Sequence, residues 1–169
     1  MPWRHRNISA AMNILLGLRR RYLILYYEVR RFFINLHPHI HIGRYTVIER
    51  GAILSTRYGG SIVIGSNCHI SKYAHILTCG GDIRMGNNTT VNPLAMIYGQ
   101  GGLTIGNGVR IATQSAILPS NHIYKDRESY IFQQGLSRKG ILIEDDVWIG
   151  AGVKILDGVI LKQGCIIRC

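Results

Sequence analysis

Acidic residues, cysteine, proline and long apolar runs are all scarce in this sequence. The four cysteines (Cys68, Cys79, Cys165 and Cys169) form no CxxC pair and no signal peptide precedes them, so we expect a reducing cytoplasm rather than a disulfide framework. Arginines interrupt the longest apolar stretches well before the roughly 18 residues that a membrane span needs, and no transmembrane helix is predicted. Four prolines against 20 glycines are typical of a compact fold with many tight corners.

The shortage of acidic residues is most marked near the N-terminus. Nine Asp and Glu against 20 Lys and Arg give the chain a net charge of +11. Residues 1–36 contain one acid, Glu28, and seven arginines, which are Arg4, Arg6, Arg19, Arg20, Arg21, Arg30 and Arg31. A solvated basic face, an anionic membrane surface or an acidic ligand would each fit this charge. Nucleic acid is not expected as a partner, because the sequence has no zinc-finger spacing, helix-turn-helix signal or RNA-binding aromatic motif.

Apolar residues between positions 14 and 36 follow a helical period. Their spacing alternates between three and four in the stripe Leu15, Leu18, Tyr22, Leu25, Val29, Phe32 and Leu36. Pro38 disfavours a helical conformation at His37, so we expect the helix to end near Asn35 or Leu36. The chain is therefore divided into a basic amphipathic helical segment, residues 1–36, and a second domain, residues 37–169. The stripe could pack on that domain, pack on a partner subunit or lie in a membrane interface.

Large aliphatic residues recur every six positions through the rest of the chain. They are Ile42, Ile48, Leu54, Ile64, Ile70, Ile76, Met85, Val91, Ile97, Ile105, Ile111, Ile117, Ile143, Ile149, Ile155, Leu161 and Ile167. A helix with 3.6 residues per turn cannot keep such a repeat on one face, whereas three short strands per turn of a coil stack equivalent residues into ladders. The repeat therefore predicts an all-β fold, a parallel β-helix of about five triangular coils.

Two other positions of the six-residue repeat are also regular. The fourth residue after the aliphatic is usually small or β-branched, and we expect it where two walls converge. Glycine often follows the aliphatic directly, at Gly43, Gly65, Gly86, Gly106 and Gly150, where a Cβ would obstruct the corner. The step from Ile105 to Ile143 is 38 residues, so residues 121–140 are predicted to leave the β-helix as one long loop. Loops on a rigid scaffold are frequent places for functional residues.

The repeat resembles that of the hexapeptide-repeat acyltransferases, whose fold is a left-handed parallel β-helix. Asn121 and His122, together with IEDDVWIGAGVKILDGV at residues 143–159, look like the sugar and xenobiotic O-acetyltransferase branch, which includes maltose, galactoside and polysaccharide O-acetyltransferases. The resemblance covers roughly residues 40–167. It implies a homotrimer with active sites between subunits, acetyl-CoA as co-substrate, no required metal, and a sugar or glycan acceptor. Family members continue through a further coil and a C-terminal segment, whereas this chain ends at Cys169.

The resemblance also assigns the reaction centre. His122 matches the general base of the family, and an imidazole suits this role because it can accept the proton of an alcohol that attacks the acetyl thioester. Asn92 matches the asparagine that binds the acceptor sugar, although a corner asparagine is the alternative interpretation. Asn121, beside the base, is a second candidate for substrate binding. Asp126 or Glu128 could orient the imidazole.

Further candidates concern the cofactor. Trp148 faces outward by the period of its strand and, by resemblance, flanks the pantetheine arm of coenzyme A, with packing in an interface as the alternative. The basic side chains nearest in sequence, which could meet the phosphates, are Arg138, Lys139 and Lys154. Backbone N–H groups near Ala112 or Gly150 are candidates for binding the oxyanion.

The predicted function is an acetyl-CoA-dependent O-acetyltransferase acting on a sugar or polysaccharide precursor, in the cytoplasm or peripheral to the inner membrane face. N-acetylation of an amino sugar is an open alternative. A β-helical zinc carbonic anhydrase would need three histidines across a subunit interface, and His69, His75 and His122 are candidates, although the six-residue separation of the first two differs from the five of that family. A non-catalytic β-helix scaffold is the third alternative.

Overall fold

A computed structural model of the chain describes residues 10–168, with side chains from residue 15 onward. It contains a helix, α1 (Ala10–Asn35), followed by a left-handed parallel β-helix with a triangular cross-section. The predicted fold class is therefore confirmed. Arg4, Arg6 and Cys169 of the sequence-based interpretation lie outside the described residues, and the division at residues 36 and 37 stays a prediction.

Three parallel sheets form the walls of the β-helix. Wall A consists of β1 (Ile40–Ile42), β4 (Ile62–Ile64), β7 (Ile83–Met85), β10 (Leu103–Ile105), β15 (Ile141–Ile143) and β18 (Ile160–Leu161). Wall B consists of β2 (Val47–Ile48), β5 (His69–Ile70), β8 (Thr90–Val91), β11 (Arg110–Ile111), β16 (Trp148–Ile149) and β19 (Ile166–Ile167). Wall C consists of β3 (Ile53–Ser55), β6 (His75–Leu77), β9 (Met96–Tyr98), β12 (Ala116–Leu118) and β17 (Lys154–Leu156). The described strands thus make five complete coils and two walls of a sixth.

The strand register places each repeated aliphatic residue on its equivalent in the next coil. Ile97 of wall C pairs with Ile76 on one side and Ile117 on the other, and all three are completely buried. Side chains alternate between inside and outside along a strand. Walls B and C each present one column of large aliphatics to the interior, whereas wall A presents two, because the first and third residues of its three-residue strands are both buried. Burying one such side chain contributes about 1.5–3 kcal/mol, which makes these columns the main source of stability.

The small residues fill the places where two walls meet, as the repeat predicts. Three of them are hydroxyl residues that are almost completely buried, Thr46, Thr89 and Ser115. Each hydroxyl donates a hydrogen bond to a carbonyl of the next coil, with distances of 2.7 Å from Thr46 to Gly65, 3.1 Å from Thr89 to Gly106 and 2.9 Å from Ser115 to Gly150. These three buried hydroxyls are therefore satisfied within the stack, while most of the other buried corner residues, such as Ala74 and Val109, are apolar.

The glycines that follow wall A are required by close stacking of the coils. A Cβ on Gly86 would lie 2.8 Å from both the carbonyl carbon and the oxygen of Gly106. The residue that adopts a left-handed conformation comes two positions later, at Asn88 with a φ of 56°. The predicted obstruction by a Cβ is thus real, and its cause is the backbone of the next coil rather than the torsion angle of the glycine itself.

Replacing Gly86 by alanine is expected to destabilise the protein by about 1–3 kcal/mol, because the new methyl group must push two stacked backbones apart. Gly17 is the matched control, since a Cβ there meets nothing within 4 Å and the residue lies inside α1. Gly17→Ala should leave stability equal or slightly higher, because alanine favours a helix over glycine. Thermal melting of both variants checks this, and a Gly86→Ala variant that melts with the wild type would contradict the stacking argument.

Polar side chains connect the coils along the corner between walls A and B. The side-chain amide oxygen of Asn107 accepts the backbone N–H of Asn87 at 2.8 Å, and the Asp145 carboxylate accepts the backbone N–H of Asn107 at 2.7 Å. Hydrogen bonds from Asn107 hold the pKa of the Asp145 carboxyl below its ordinary value. This ladder of side chains compensates for backbone N–H groups that the turn leaves without a strand partner.

Helix α1 ends at Asn35, as the proline rule predicts, and is attached to the first coil by its last turns. The Asn35 side chain accepts the N–H of Ile42 at 2.7 Å and donates to the Ile42 carbonyl at 3.0 Å. Glu28 pairs with Arg31 at 2.6 Å and accepts the N–H of Tyr45 at 3.2 Å. No helix within residues 10–168 has both the length and the apolarity required to cross a membrane.

Candidate active site

The long insertion predicted at residues 121–140 is an antiparallel hairpin held by side-chain hydrogen bonds. Strands β13 (Asn121–His122) and β14 (Leu136–Ser137) pair in antiparallel fashion, so that His122 lies opposite Leu136. A single 3-10 turn at Ile131–Gln133 forms part of the tip. The insertion leaves the corner between walls C and A, and its two ends lie together there.

Hydrogen bonds fix both the base and the tip of this hairpin. At the base, the Asp157 carboxylate accepts the Ser137 hydroxyl at 2.8 Å and the N–H groups of Lys139 and Gly140 at 2.8 and 2.9 Å. Within the tip, the Gln134 side chain accepts the N–H of Asp126 at 3.0 Å and donates to the Asp126 carbonyl at 2.8 Å. The histidine on β13 is therefore presented by an ordered element rather than by an irregular loop.

The carboxylates proposed to orient His122 do not contact it. Asp126 accepts the Ser129 hydroxyl at 2.6 Å and the N–H of Glu128 at 2.9 Å. The Ser129 hydroxyl is the main reason why the pKa of Asp126 is lowered. In the described part of the chain, the His122 side chain makes no hydrogen bond with either Asp126 or Glu128. The expectation that one of them orients the imidazole is therefore not met by this structure.

An open groove of about 410 Å³ lies on wall C, beside the exposed side chain of His122 on the hairpin. Its lining consists of Tyr98, Gln100, Leu118, Ser120, His122 and Leu136. Ser120 donates a hydrogen bond from its hydroxyl to the Gln100 side-chain oxygen at 2.7 Å. The groove thus combines an apolar floor, a polar edge and an imidazole, an arrangement that can hold an acceptor hydroxyl beside a base.

Sequence reasoning missed Tyr98, Gln100 and Ser120. A signal for two of them exists, because Ile97 pairs with Ile117 and the same register places Gln100 one coil away from Ser120. Stacked polar residues just beyond the end of a wall, and next to the insertion, distinguish this corner from the others. The repeat alone showed which residues face inward and did not identify this pair.

Two other candidates, Trp148 and Asn92, lie on or directly after strands of wall B, away from the corner of walls C and A that carries His122. Trp148 is on wall B with its indole 47% exposed, which confirms the predicted outward direction, and it lies between Arg110 and Ile166 in the sheet. Asn92 follows the wall B strand β8 and donates from its side-chain amide to the Ile111 carbonyl at 3.0 Å. A single chain therefore does not bring these residues together with His122.

The backbone groups suggested for the oxyanion are already engaged. The N–H of Ala112 donates to the Ile149 carbonyl at 2.9 Å, and that of Gly150 donates to the Ile167 carbonyl at 2.8 Å. Both are ordinary ladder bonds between successive coils. Neither N–H is free to meet an oxyanion in this structure, which corrects the expectation from sequence.

The three basic candidates for phosphate binding lie at different places. The Lys154 ammonium, at the start of a wall C strand, donates to the carbonyls of Gly152 at 3.0 Å and Gln114 at 3.3 Å. Arg138 and Lys139 follow the hairpin at the opposite edge of that wall, and both are exposed. Lys139 and Arg84 line a second groove, of about 470 Å³, on wall A.

The histidines considered for zinc do not converge in one chain. His69 lies on wall B, where its Nε2 is 2.9 Å from Glu49, and His75 lies around the corner on wall C. Among residues 10–168, no group of three or more His, Cys, Asp or Glu is arranged to hold a metal ion.

Comparisons with known proteins agree with the fold and the repeat. No family model matches the chain. The chain is 27% identical over 147 residues to "Probable acetyltransferase Rv3034c" of Mycobacterium tuberculosis. The match covers 86% of this chain and 49% of the relative, so the chain spans about half the length of that protein.

Two solved structures share the architecture, and both are variants of AntD, an N-acyltransferase from Bacillus cereus. The complex of AntD with dTDP and coenzyme A has a TM-score of 0.64 and 15% identity, over 79% of this chain and 72% of AntD. The complex with dTDP-4-amino-4,6-dideoxyglucose and coenzyme A has a TM-score of 0.63 and 16% identity, over 75% and 68%. The repeat, the left-handed β-helix and these similarities confirm the resemblance to the hexapeptide-repeat acyltransferases, while the branch of that family stays a prediction.

Proposed function

We propose that this protein is a cytoplasmic acyltransferase that moves the acetyl group of acetyl-CoA to a hydroxyl of a sugar or polysaccharide precursor. The observation that carries the proposal is the position of His122, exposed on a stapled hairpin and beside a groove of wall C. The acetyltransferase name of the relative and the coenzyme A bound to AntD support acetyl-CoA as co-substrate. The sugar nucleotides bound to AntD support a sugar acceptor.

In this proposal the His122 imidazole accepts the proton of the acceptor hydroxyl while its oxygen attacks the thioester carbonyl carbon. The resulting tetrahedral intermediate breaks its carbon–sulfur bond, which releases the acetylated product and the thiolate of coenzyme A. The imidazolium then returns the proton to the thiolate, so that the base is regenerated. The Gln100–Ser120 pair provides polar groups at the edge of the groove for an acceptor. Asn121 precedes His122 on β13 and is not among the residues that line this groove, so its part in binding would need a neighbouring subunit.

The proposed enzyme is a homotrimer, because the candidate residues of one chain lie on two separate faces. His122 and Lys139 lie at the corner of walls C and A, whereas Trp148 lies on wall B and Asn92 directly after a wall B strand. A threefold arrangement can place the first face of one chain against the second face of its neighbour. Each of three equivalent grooves would then have a base from one subunit and a tryptophan from the other.

The exposed groups fit a thiol cofactor with phosphates. The Trp148 ring offers an apolar face for the pantetheine arm, and Arg138, Lys139 and Lys154 offer cations for the phosphates. The amides of Ala112 and Gly150 are not proposed as oxyanion donors, because both donate within the ladder.

An amino sugar is the second candidate acceptor, and the two AntD structures favour it because AntD is an N-acyltransferase. The nitrogen of an amine is a stronger nucleophile than a hydroxyl oxygen, so less assistance from a base is needed. The two candidates differ in the atom that carries the acetyl group in the product.

The test is release of free thiol from acetyl-CoA in the presence of sugars and sugar nucleotides, each paired with its amino counterpart. Mass spectrometry and base lability of the product distinguish an ester from an amide. Acetylation of the hydroxyl compounds supports the proposal, and acetylation of the amino compounds alone supports the second candidate. No acceptor-dependent thiol release, together with no binding of coenzyme A, would overturn both.

A further inference from the structure

The apolar stripe of α1 points away from the β-helix. At about 100° per residue, its members fall within an arc of about 100°, and two residues that contact the first coil, Glu28 and Asn35, lie outside that arc, about a quarter turn from its centre. The stripe is formed by Leu15, Leu18, Tyr22, Leu25, Val29, Phe32 and Leu36, whose exposed fractions range from 47% to 67%. A helix in a globular protein ordinarily turns such a face inward, so this orientation needs an explanation.

The N-terminal half of α1 also stands away from the first coil. A groove of about 540 Å³ separates the two, lined by Leu16, Leu23, Ile24 and Tyr27 from the helix and by Tyr45 and Val47 from the coil. The hydrogen bonds of Asn35 with Ile42 hold the other end. The stripe is therefore not packed against the β-helix along its length.

The charges of α1 have one sign wherever they are exposed. Arg19, Arg20 and Arg21 are exposed, with Arg19 and Arg21 on either border of the stripe. Glu28 is the only acid of the helix, and it lies on the side of the first coil, where it pairs with Arg31. The Arg31 guanidinium, as the largest influence, holds the pKa of Glu28 below its ordinary value.

We propose that α1 docks this protein on an anionic phospholipid bilayer. The stripe enters the boundary between headgroups and acyl chains, and Arg19 and Arg21 on its two borders meet the lipid phosphates, whereas Arg20 lies on the side of the groove. From Leu15 to Leu36 the stripe is about 32 Å long, which is a continuous contact for a helix lying in the plane of the surface. This proposal is independent of the proposed acyl transfer.

Charge favours the bilayer over a second copy of the chain. Two α1 helices packed through their stripes would bring the same arginines together, and neither helix has an exposed acid to pair with them. Lipid phosphates supply the missing negative charge along the whole border. A helix that lies in the membrane interface also removes the apolar side chains of its outer face from water.

Co-sedimentation of the full chain with vesicles tests the proposal. Binding is expected to vesicles that mix phosphatidylcholine with phosphatidylglycerol, and to be weak with phosphatidylcholine alone. The double variant Arg19→Gln with Arg21→Gln should bind the mixed vesicles more than about tenfold less tightly. The matched control removes the same charge from exposed positions of the β-helix, Arg57→Gln with Lys72→Gln, and should bind like the wild type.

A second pair of variants tests the stripe itself. The double variant Leu18→Ser with Leu25→Ser should weaken vesicle binding by about tenfold or more, because two apolar side chains that the bilayer would bury are lost. The control is the double variant Val63→Ser with Leu142→Ser, at two outward positions of wall A that are each 37% exposed. It should bind the mixed vesicles as tightly as the wild type. Circular dichroism checks that all variants are folded. Equal binding to neutral vesicles, or stripe variants that change the mass of the assembly and leave vesicle binding intact, would overturn the proposal.

Discussion

Replacing His122 by alanine is expected to lower kcat for acetyl transfer by about 10²- to 10⁴-fold, which is the usual contribution of a general base. The reason is that the acceptor hydroxyl would have to attack the thioester before losing its proton. His122 is exposed and its side chain supports no other residue of the hairpin, so the fold should be unchanged. Thiol release from acetyl-CoA measures kcat, and binding of coenzyme A should be retained.

His41→Ala is the matched control for this prediction. His41 is also an exposed histidine that points outward from a strand, but it lies on wall A at the first coil, far along the chain from the hairpin. The control should have the kcat of the wild type. A His122→Ala enzyme with unchanged kcat would contradict the role of general base, and a parallel loss of coenzyme A binding would indicate a different role for the side chain.

Replacing Ile97 by alanine is expected to lower the free energy of unfolding by about 2–5 kcal/mol, the range for deleting a large aliphatic side chain from a core. Ile97 is completely buried in the middle of the column of wall C, with a paired isoleucine in the coil on each side. Its neighbours are held by their own ladders and cannot collapse into the space. Chemical denaturation measures the change.

The control for this variant is Ile53→Ala on the same wall. Ile53 is 45% exposed, so the same change of residue removes little buried surface and leaves no cavity. Its effect should be within about 0.5 kcal/mol of the wild type. Equal losses of stability in both variants would show that the inward column is not the main source of stability.

Most of the core could be predicted from sequence because a six-residue period places equivalent residues on the same side of a wall. The second inward column of wall A was missed, since its members stand two positions before the repeated aliphatic; they are Ile40, Ile62, Ile83, Leu103 and Ile141. Ile64, Ile70 and Ile76 occupy the same position of the six-residue repeat, and all three are buried inside the β-helix. The position of the insertion was equally readable, since a step of 38 residues cannot be absorbed by a corner. The direction of Trp148 followed from the same alternation along a strand.

Other properties depended on contacts that no local pattern describes. The hairpin at Asn121–Ser137 is stapled by Asp157, a residue 20 positions beyond Ser137 and in a later coil. The engagement of the Ala112 and Gly150 amides depends on the carbonyls of the coil that follows each of them. A sequence gives the candidates for such bonds and does not say which candidates are already paired.

By itself, then, the sequence determined the β-helix, most of its inward residues and the place where the insertion with His122 begins, because these depend only on a period of six and its one long interruption. Tertiary structure decided that Trp148 lies on wall B while His122 lies on the hairpin beside wall C, and that the stripe of α1 faces outward. The physical reason is that a period assigns each residue to the inside or outside of a wall. The angle at which walls and helix meet is instead set by contacts between distant residues, such as those of Asn35 with Ile42.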